Sequence, residues 1–387
     1  MHVSASSMKV NINRLMVDPE FYLFDCSKNT EHSEFLIITE QLLELAPFID
    51  SRLAPFARGQ FSVSTRELAE LVRHSPLPRP AQHFIFHHAF VCSTLLARCL
   101  SQSRAFFSLK EPHILRKLAD LRRSKHHWSN GEPGSDWGRL LKTHLGLLSK
   151  NYSRGDTVIV KATNVANNLM PDILTDAPES KLVYMFCSLE EFLVSNLKKA
   201  EDTRQKIPAL FHLTAADANF FSAYPAFRTA EERDFLEYCA LLWLASNHNF
   251  LMQAEAAPPG RVCTLAMNAF LESPREVLSA TSRFFGFNAN ASELDSMTAN
   301  AVMQRHAKDP NLVYNKGSRE RENAAIRLRF GKEISQTALW LARHCNPEDI
   351  YSRLEQLSLL AARNNHQAPT NMPGGLERPP VRISSRS

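Results

Sequence analysis

The stretch His83–Leu100, HFIFHHAFVCSTLLARCL, carries two different periodicities around a short break. Residues His83 to Phe86 form a run of aromatic and β-branched side chains, the pattern of a strand buried on both faces. From Ser93 onward Leu95, Leu96, Cys99 and Leu100 recur at helical spacing, and Ser93 or Thr94 stands where a helix takes its N-cap. Strand, short loop and hydroxyl-rich helix start together suit an anion. The first N–H groups of a helix have no partner within it, and the helix dipole adds partial positive charge there. Loops that curl about a phosphate ordinarily use glycine, yet none occurs between His83 and Leu100.

Outward from this stretch the strand-then-helix alternation repeats. AFFSL (105–109), TVIVK (157–161), KLVYMF (181–186) and RVCTLAM (261–267) are short apolar runs separated by segments of helical character. Strands that are apolar throughout and alternate with helices predict a parallel sheet covered on both faces. The expected fold is α/β and three-layered, with a central parallel sheet of about five strands plus helical N-terminal and C-terminal additions. Residues 1–80 read as a mostly helical lead-in or cap, 81–290 as the core and 291–362 as a helical extension. Residues 363–387, with Pro, Asn, Gly and Arg, read as a disordered tail. The aromatic segment 211–227 has the character of a lid.

Composition narrows the function classes. The 387 residues, 44% of them hydrophobic, can bury a large core. The 45 basic and 40 acidic residues leave a formal charge of +5, too small and scattered for a nucleic-acid surface but compatible with a local anion site. Seven cysteines, widely spaced and without a CxxC pair, argue against a zinc or disulfide framework and for a reducing, cytoplasmic setting. No signal peptide is recognisable, and no apolar run approaches the roughly 20 residues that span a bilayer. Neither nucleic acid nor membrane is expected as a partner, and nothing here reads out an oligomeric state.

In open α/β sheets ligands bind at the carboxyl ends of the strands. The candidate residues are therefore His87 to Thr94, Lys110 and Glu111, Lys161 to Asn164, Cys187 and Ser188, and Asn268. Carboxylates with metal-site spacing are missing from this set, so no metal is expected. His87 and His88 are adjacent and would point apart on a strand.

Three blocks, in this order, resemble the sulfotransferase family, whose P-loop NTPase-like fold binds 3′-phosphoadenosine 5′-phosphosulfate. FIFHHAFVCSTLLARCL is similar to the family's 5′-phosphosulfate loop, with Ser93 and Thr94 on its two threonines. KLVYMFCSLEEFLVSNLKK is similar to its 3′-phosphate strand and helix, with Ser195 in the place of the family's serine. RVCTLAMNAFLESPREVLSATSRFFGF resembles its late strand and helix, where Pro274 and Gly286 match. The resemblance covers roughly residues 83 to 290. It implies transfer of a sulfuryl group to a hydroxyl or amine acceptor of unread identity, with Glu111 as base and Lys161 or Lys110 as cation. Donor contacts would come from Phe90, Val91, Cys92, Ser93, Thr94 and Ser195, with Lys316 and Arg319 from an Asn-Lys-Gly segment similar to the family's Arg-Lys-Gly.

The chain also departs from the pattern. Phe90 stands where the family has Arg or Lys, Cys92 where it has glycine, Cys187 where it has the arginine that grips the 3′-phosphate, and Asn268 where it has glutamate. Two alternatives stay open: a P-loop kinase or NTPase, against which the absence of GxxxxGK[ST] speaks, and a sulfotransferase fold kept as a binding module. The residues also admit plainer roles. Ser93 and Thr94 can simply cap a helix, Glu111 can stabilise a helix dipole, and the basic run 319–329 can be a solvated face.

Overall fold

The computed structural model describes residues 14–74, 80–124, 136–153, 155–217, 219–228, 233–306, 309–313 and 315–361. The expected tail at 363–387 and residues 125–135 lie outside them. All five expected core strands form: β4 Ala81–His87, β5 Phe106–Lys110, β6 Thr157–Lys161, β7 Leu182–Phe186 and β8 Val262–Ala266. Their middle residues are buried. Phe84, Ile85 and Phe86, for example, are each at most 1% accessible, so side chains on both faces of β4 contribute about 1.5–3 kcal/mol apiece.

These five strands make one parallel sheet in the order β5-β6-β4-β7-β8. The chain leaves central β4 and crosses β6 to reach β5, then moves back the other way for every later strand. Right-handed crossovers then put the β4–β5 helix on one face and the later connections on the other. The loop after β4 is thus the one that departs in the opposite sense, and its neighbourhood is the topological switch point. The helices named below are α1 Glu40–Leu45, α2 Ser93–Leu100, α3 His113–Ser124, α4 Asp136–Leu148, α5 Met170–Asp176, α6 Leu189–Leu197, α7 Ile207–Asp217, α8 Phe235–Glu255, α9 Pro274–Phe284, α10 Lys316–Ala342 and α11 Pro347–Gln356. Helices α2 and α9 pack together, while α7 and α8 pack as a second pair. The result is the three-layer α/β fold expected, of the P-loop NTPase-like type.

The N-terminal addition differs from the expectation. It contains helices, but it is built on a three-stranded antiparallel sheet of β1 Phe21–Cys26, β2 His32–Ile37 and β3 Gly59–Ser64. FLIITEQLLEL carries both characters because its first half is strand and its second half is α1, and a short apolar run does not reveal its own period. Two buried lysines, Lys150 and Lys110, fasten this N-terminal addition to the core. Lys150 donates to the carbonyl oxygens of Asp18 and Phe21. Burial pushes its ammonium down to about 7.

Edge strand β8 is covered by the C-terminal extension. Thr264 N–H donates to Leu357 O (3.0 Å), Leu359 N–H donates to Thr264 O (2.9 Å), and Ser358 bridges Thr264 in parallel. The extension is mainly helical, with a short antiparallel ribbon pairing Arg305–His306 and Asp309–Val313. The aromatic segment 211–227 does not lie as a lid over the strand ends. Phe211, Phe220 and Phe227 pack among themselves and against Tyr238 and His248 of α8 and Trp340 of α10.

Candidate functional site

Five non-glycine residues among those described have positive φ, and three of them lie at the strand ends: Phe90 (68°), Cys92 (62°) and Glu111 (53°). A left-handed backbone costs an ordinary residue about 1–2 kcal/mol, and such strain persists only where the surroundings impose it. The loop after β4 therefore curls as a glycine loop does, without glycines.

The start of α2 corrects one expectation. Its N-cap is Cys92, not Ser93 or Thr94, and the Cys92 side chain makes no capping hydrogen bond. With φ 62° and ψ 20°, Cys92 is the last residue outside the helix, and Ser93 and Thr94 are already helical and buried at 5%. The first-turn amides consequently have no side-chain cap to neutralise them, an arrangement suited to an anion. Val91 is 1% accessible and packs into the hydrophobic core.

The cation missing at Phe90 arrives from far along the chain. Arg319, in the first turn of α10, places Nη1 3.2 Å from Cys92 Sγ and Nη2 2.9 Å from Met267 Sδ, just after β8. Both sulfurs are weak acceptors for a guanidinium. Lys199 sets its Nζ 4.4 Å from the Phe90 ring centroid. Lys198 Nζ lies 2.9 Å from Asn323 Oδ1 and 3.4 Å from Glu322 Oε2 of α10. Lys316 does not join them: its side chain is 54% exposed and 4.0 Å from Glu320 one turn on. Ser195 is buried within α6.

At the end of β7, Cys187 is packed rather than poised. Its N–H donates to His88 Nε2 (3.0 Å), its carbonyl accepts from Trp243 Nε1 (2.9 Å), and burial pushes its thiol well up. His88 thus spends both ring nitrogens on backbone, with Nδ1 donating to Ala89 O at 3.0 Å. The His87 ring lies 2.7 Å from His88 O and 3.0 Å from Ala162 O, bracing the loop against the end of β6.

On the other side of the loop, Glu111 and Lys161 form an ion pair across the ends of β5 and β6. The left-handed turn at Glu111 lets its N–H donate to Lys161 O (2.7 Å) while its carboxylate accepts from Lys161 Nζ. The Lys161 side chain is 1% accessible and that of Glu111 23%, so the carboxylate is the member solvent can reach. Lys110 is turned away. Its ammonium donates to the Leu43 and Glu44 carbonyls ending α1 and to Ser108 O, and burial pushes it down to about 8. Lys110 is the register partner of Lys161 in the sheet, and it is the left-handed turn just past the strand end that brings the Glu111 carboxylate, rather than Lys110, into the pair with Lys161. Lys110 fastens α1 of the N-terminal addition to the core and is turned away from this site.

Sequence reasoning missed the contribution of the lead-in. Segment 48–52 lies along the end of β5, with Ile49 N–H donating to Lys110 O (2.7 Å) and His113 N–H to Ile49 O (2.9 Å). This sets the Phe48 ring centroid 5.9 Å from Lys161 Nζ and 4.4 Å from Arg52 Cζ. No local pattern marks Phe48 as a site residue. The pair Lys198-Lys199 did carry a signal, two cations directly after an apolar strand-end helix. Among the described residues no group of three or more His, Cys, Asp or Glu is placed to hold a metal ion.

Comparison with known proteins gives no matching family model and no matching curated protein. Solved structures do match. The sulfotransferase domain from the curacin biosynthetic pathway is 16% identical with a TM-score of 0.39, the match covering 66% of this chain and 99% of that one. The sulfotransferase domain of the Synechococcus PCC 7002 olefin synthase is 13% identical with a TM-score of 0.33, over 66% and 97%. A sulfotransferase from Alicyclobacillus acidocaldarius is 16% identical with a TM-score of 0.32, over 67% and 97%. The fold assignment rests on this chain's own strand order and crossovers, not on these superpositions. No described helix is long and apolar enough to cross a membrane.

Proposed function

We propose that the chain is a divergent sulfotransferase-like enzyme that transfers a sulfuryl group from 3′-phosphoadenosine 5′-phosphosulfate to a hydroxyl or amine acceptor. One observation carries the reading: an uncapped helix start beside the Arg319 guanidinium shares a sheet end with the Glu111–Lys161 pair. The donor nucleotide supplies the activated sulfuryl group. Amides of the first turn of α2 and Arg319 stabilise charge on the phosphate side, in a preorganised arrangement that needs no reorientation during transfer. Glu111, held by Lys161, takes the acceptor's proton as the acceptor atom bonds to sulfur and the sulfur–oxygen bond to the donor's 5′-phosphate breaks, releasing adenosine 3′,5′-bisphosphate. The cytoplasmic setting expected from the cysteines belongs to this reading.

The competing reading is a binding module that has lost turnover. Phe90 and Cys187 favour it, because neither strand-end position bears the cation of the resembled pattern. Calorimetry and thermal shift with adenosine 3′,5′-bisphosphate, alongside ATP with Mg²⁺, test the donor assignment. Binding of the bisphosphate in preference to ATP is expected, and no heat and no shift at millimolar bisphosphate would end it. Sulfuryl transfer that disappears in Glu111→Gln, with bisphosphate binding intact, would exclude the binding-module reading.

A further inference from the structure

Helices α3, α5, α7 and α8 enclose a pocket of about 840 Å³, within the size range of small-molecule sites. It is lined by neither the loop 87–94 nor Glu111, Lys161 or Arg319. We propose that this pocket is a second ligand site, which takes a neutral polyhydroxylated molecule of mono- to disaccharide size through Arg122, Asp172, Asp217 and Asn249. The proposal stands independently of the donor reading.

Position separates the pocket from the transfer site. Arg261, directly before β8, donates to the carbonyl oxygen of Leu174 (2.7 Å) and gives its N–H to Pro258 O (3.3 Å). Both acceptors line the pocket, so this wall is tied to the amino end of β8, the far end of the sheet from Glu111 and Cys92. Ion pairs fix the shape in advance. Arg122 joins α3 to α5 through Nε and Asp172 Oδ2 (3.0 Å), and Arg123 joins α3 to α7 through Nε and Nη2 on the Asp217 carboxylate (2.8 and 2.7 Å).

The choice of ligand follows from charge and from what is left unbonded. The four charged side chains of the lining, two arginines and two aspartates, sum to zero, so neither an anion nor a cation finds a net field there. Both aspartates are enclosed enough that burial raises their carboxyls despite the arginine beside each. A purely apolar ligand would strip water from these pairs and return nothing. Among the described residues Arg122 bonds only through Nε, which leaves both Nη groups to donate, and its guanidinium is steadied over the Trp137 ring (5.6 Å to the centroid). Asn249 is 4% accessible; its Oδ1 accepts from Gln253, and its Nδ2 makes no bond among the described residues. A hydroxyl donates and accepts at once, so it can bridge an arginine nitrogen and a carboxylate oxygen without breaking the pair. Leu174, Met252 and Pro258 offer apolar surface to the C–H face of such a ligand.

Saturation-transfer NMR on the full chain tests this with maltose, lactose and cellobiose, and with gluconate and glucosamine as an anionic and a cationic sugar. At least one disaccharide should give a stronger signal than either charged sugar. Asn249→Leu removes a donor, and Met252→Trp fills the mouth from a position 52% exposed, where folding is not at risk. Each should reduce the disaccharide signal several-fold, while adenosine 3′,5′-bisphosphate binds Met252→Trp as it binds the wild type. No signal from any disaccharide, a stronger signal from gluconate or glucosamine, or an undiminished disaccharide signal in both variants overturns the proposal. Loss of bisphosphate binding in Met252→Trp alone would also overturn it, by making the pocket part of the transfer site.

Discussion

The Arg319 guanidinium rests 3.2 Å from the Cys92 sulfur although 227 positions separate the two residues. One is a strained loop residue where glycine would be expected; the other is the opening turn of a helix beyond the sheet. Together they restore a cation to a loop whose own sequence has none.

The strain at Cys92 is measurable. Cys92→Gly removes the left-handed penalty and is expected to raise stability by about 1 kcal/mol, whereas Cys92→Val, β-branched at φ 62°, should lower it by about 2 kcal/mol. Urea denaturation reads both. A less stable glycine variant would mean that the sulfur's contacts outweigh the strain.

Glu111 and Lys161 should prove energetically coupled. Glu111→Gln leaves a lysine of 1% accessibility without its carboxylate, at a cost of about 2–3 kcal/mol, below the range for a fully buried pair because Glu111 is 23% exposed. The double variant Glu111→Gln/Lys161→Met should recover part of that loss. Strictly additive losses in denaturation would refute the coupling.

Stability should depend on pH through Lys150. Its folded-state pKa, about 7, lies below the ordinary 10.5, so between these values the unfolded chain binds the extra proton and stability rises with pH. Below about pH 7 both states are protonated and the contribution is flat. Lys110, at about 8, adds to the same trend. Wild type should therefore gain on Lys150→Met between pH 6.5 and pH 9 in parallel chemical melts. A constant difference across that range would contradict the assignment.

The covering of the β8 edge offers a further test. Thr264 Oγ1 donates to Leu354 O at 2.6 Å beneath the C-terminal segment. Thr264→Val should cost about 1 kcal/mol by removing that buried hydrogen bond, which leaves Leu354 O with the longer one from Leu357 N–H (3.2 Å). Removing residues from Pro347 onward should expose the edge and promote self-association, visible by light scattering. A monodisperse truncated chain would show that the edge needs no cover.

Local pattern was enough for the core and much less so for the appendages. TVIVK and KLVYMF read as strands because a strand buried on both faces is apolar throughout, and the five strands imply the parallel sheet almost by themselves. FLIITEQLLEL did not read so clearly, since half of it pairs in a small antiparallel sheet and half coils into α1. Strand-end position singled out Lys110 and Glu111 alike, and only side-chain direction separates a site carboxylate from a lysine that closes a helix.

By itself the sequence determined the element order of the core, the anion-suited strand–loop–helix at His83–Leu100 and the absence of glycine from it. The tertiary structure decided what stands around that loop: Arg319 from α10, Lys198 and Lys199 from α6, Phe48 from the lead-in, and Lys110 turned away. The division has a physical cause. Backbone periodicity and burial are local and leave their mark within a few residues, whereas a binding site is a convergence of distant segments whose meeting depends on packing.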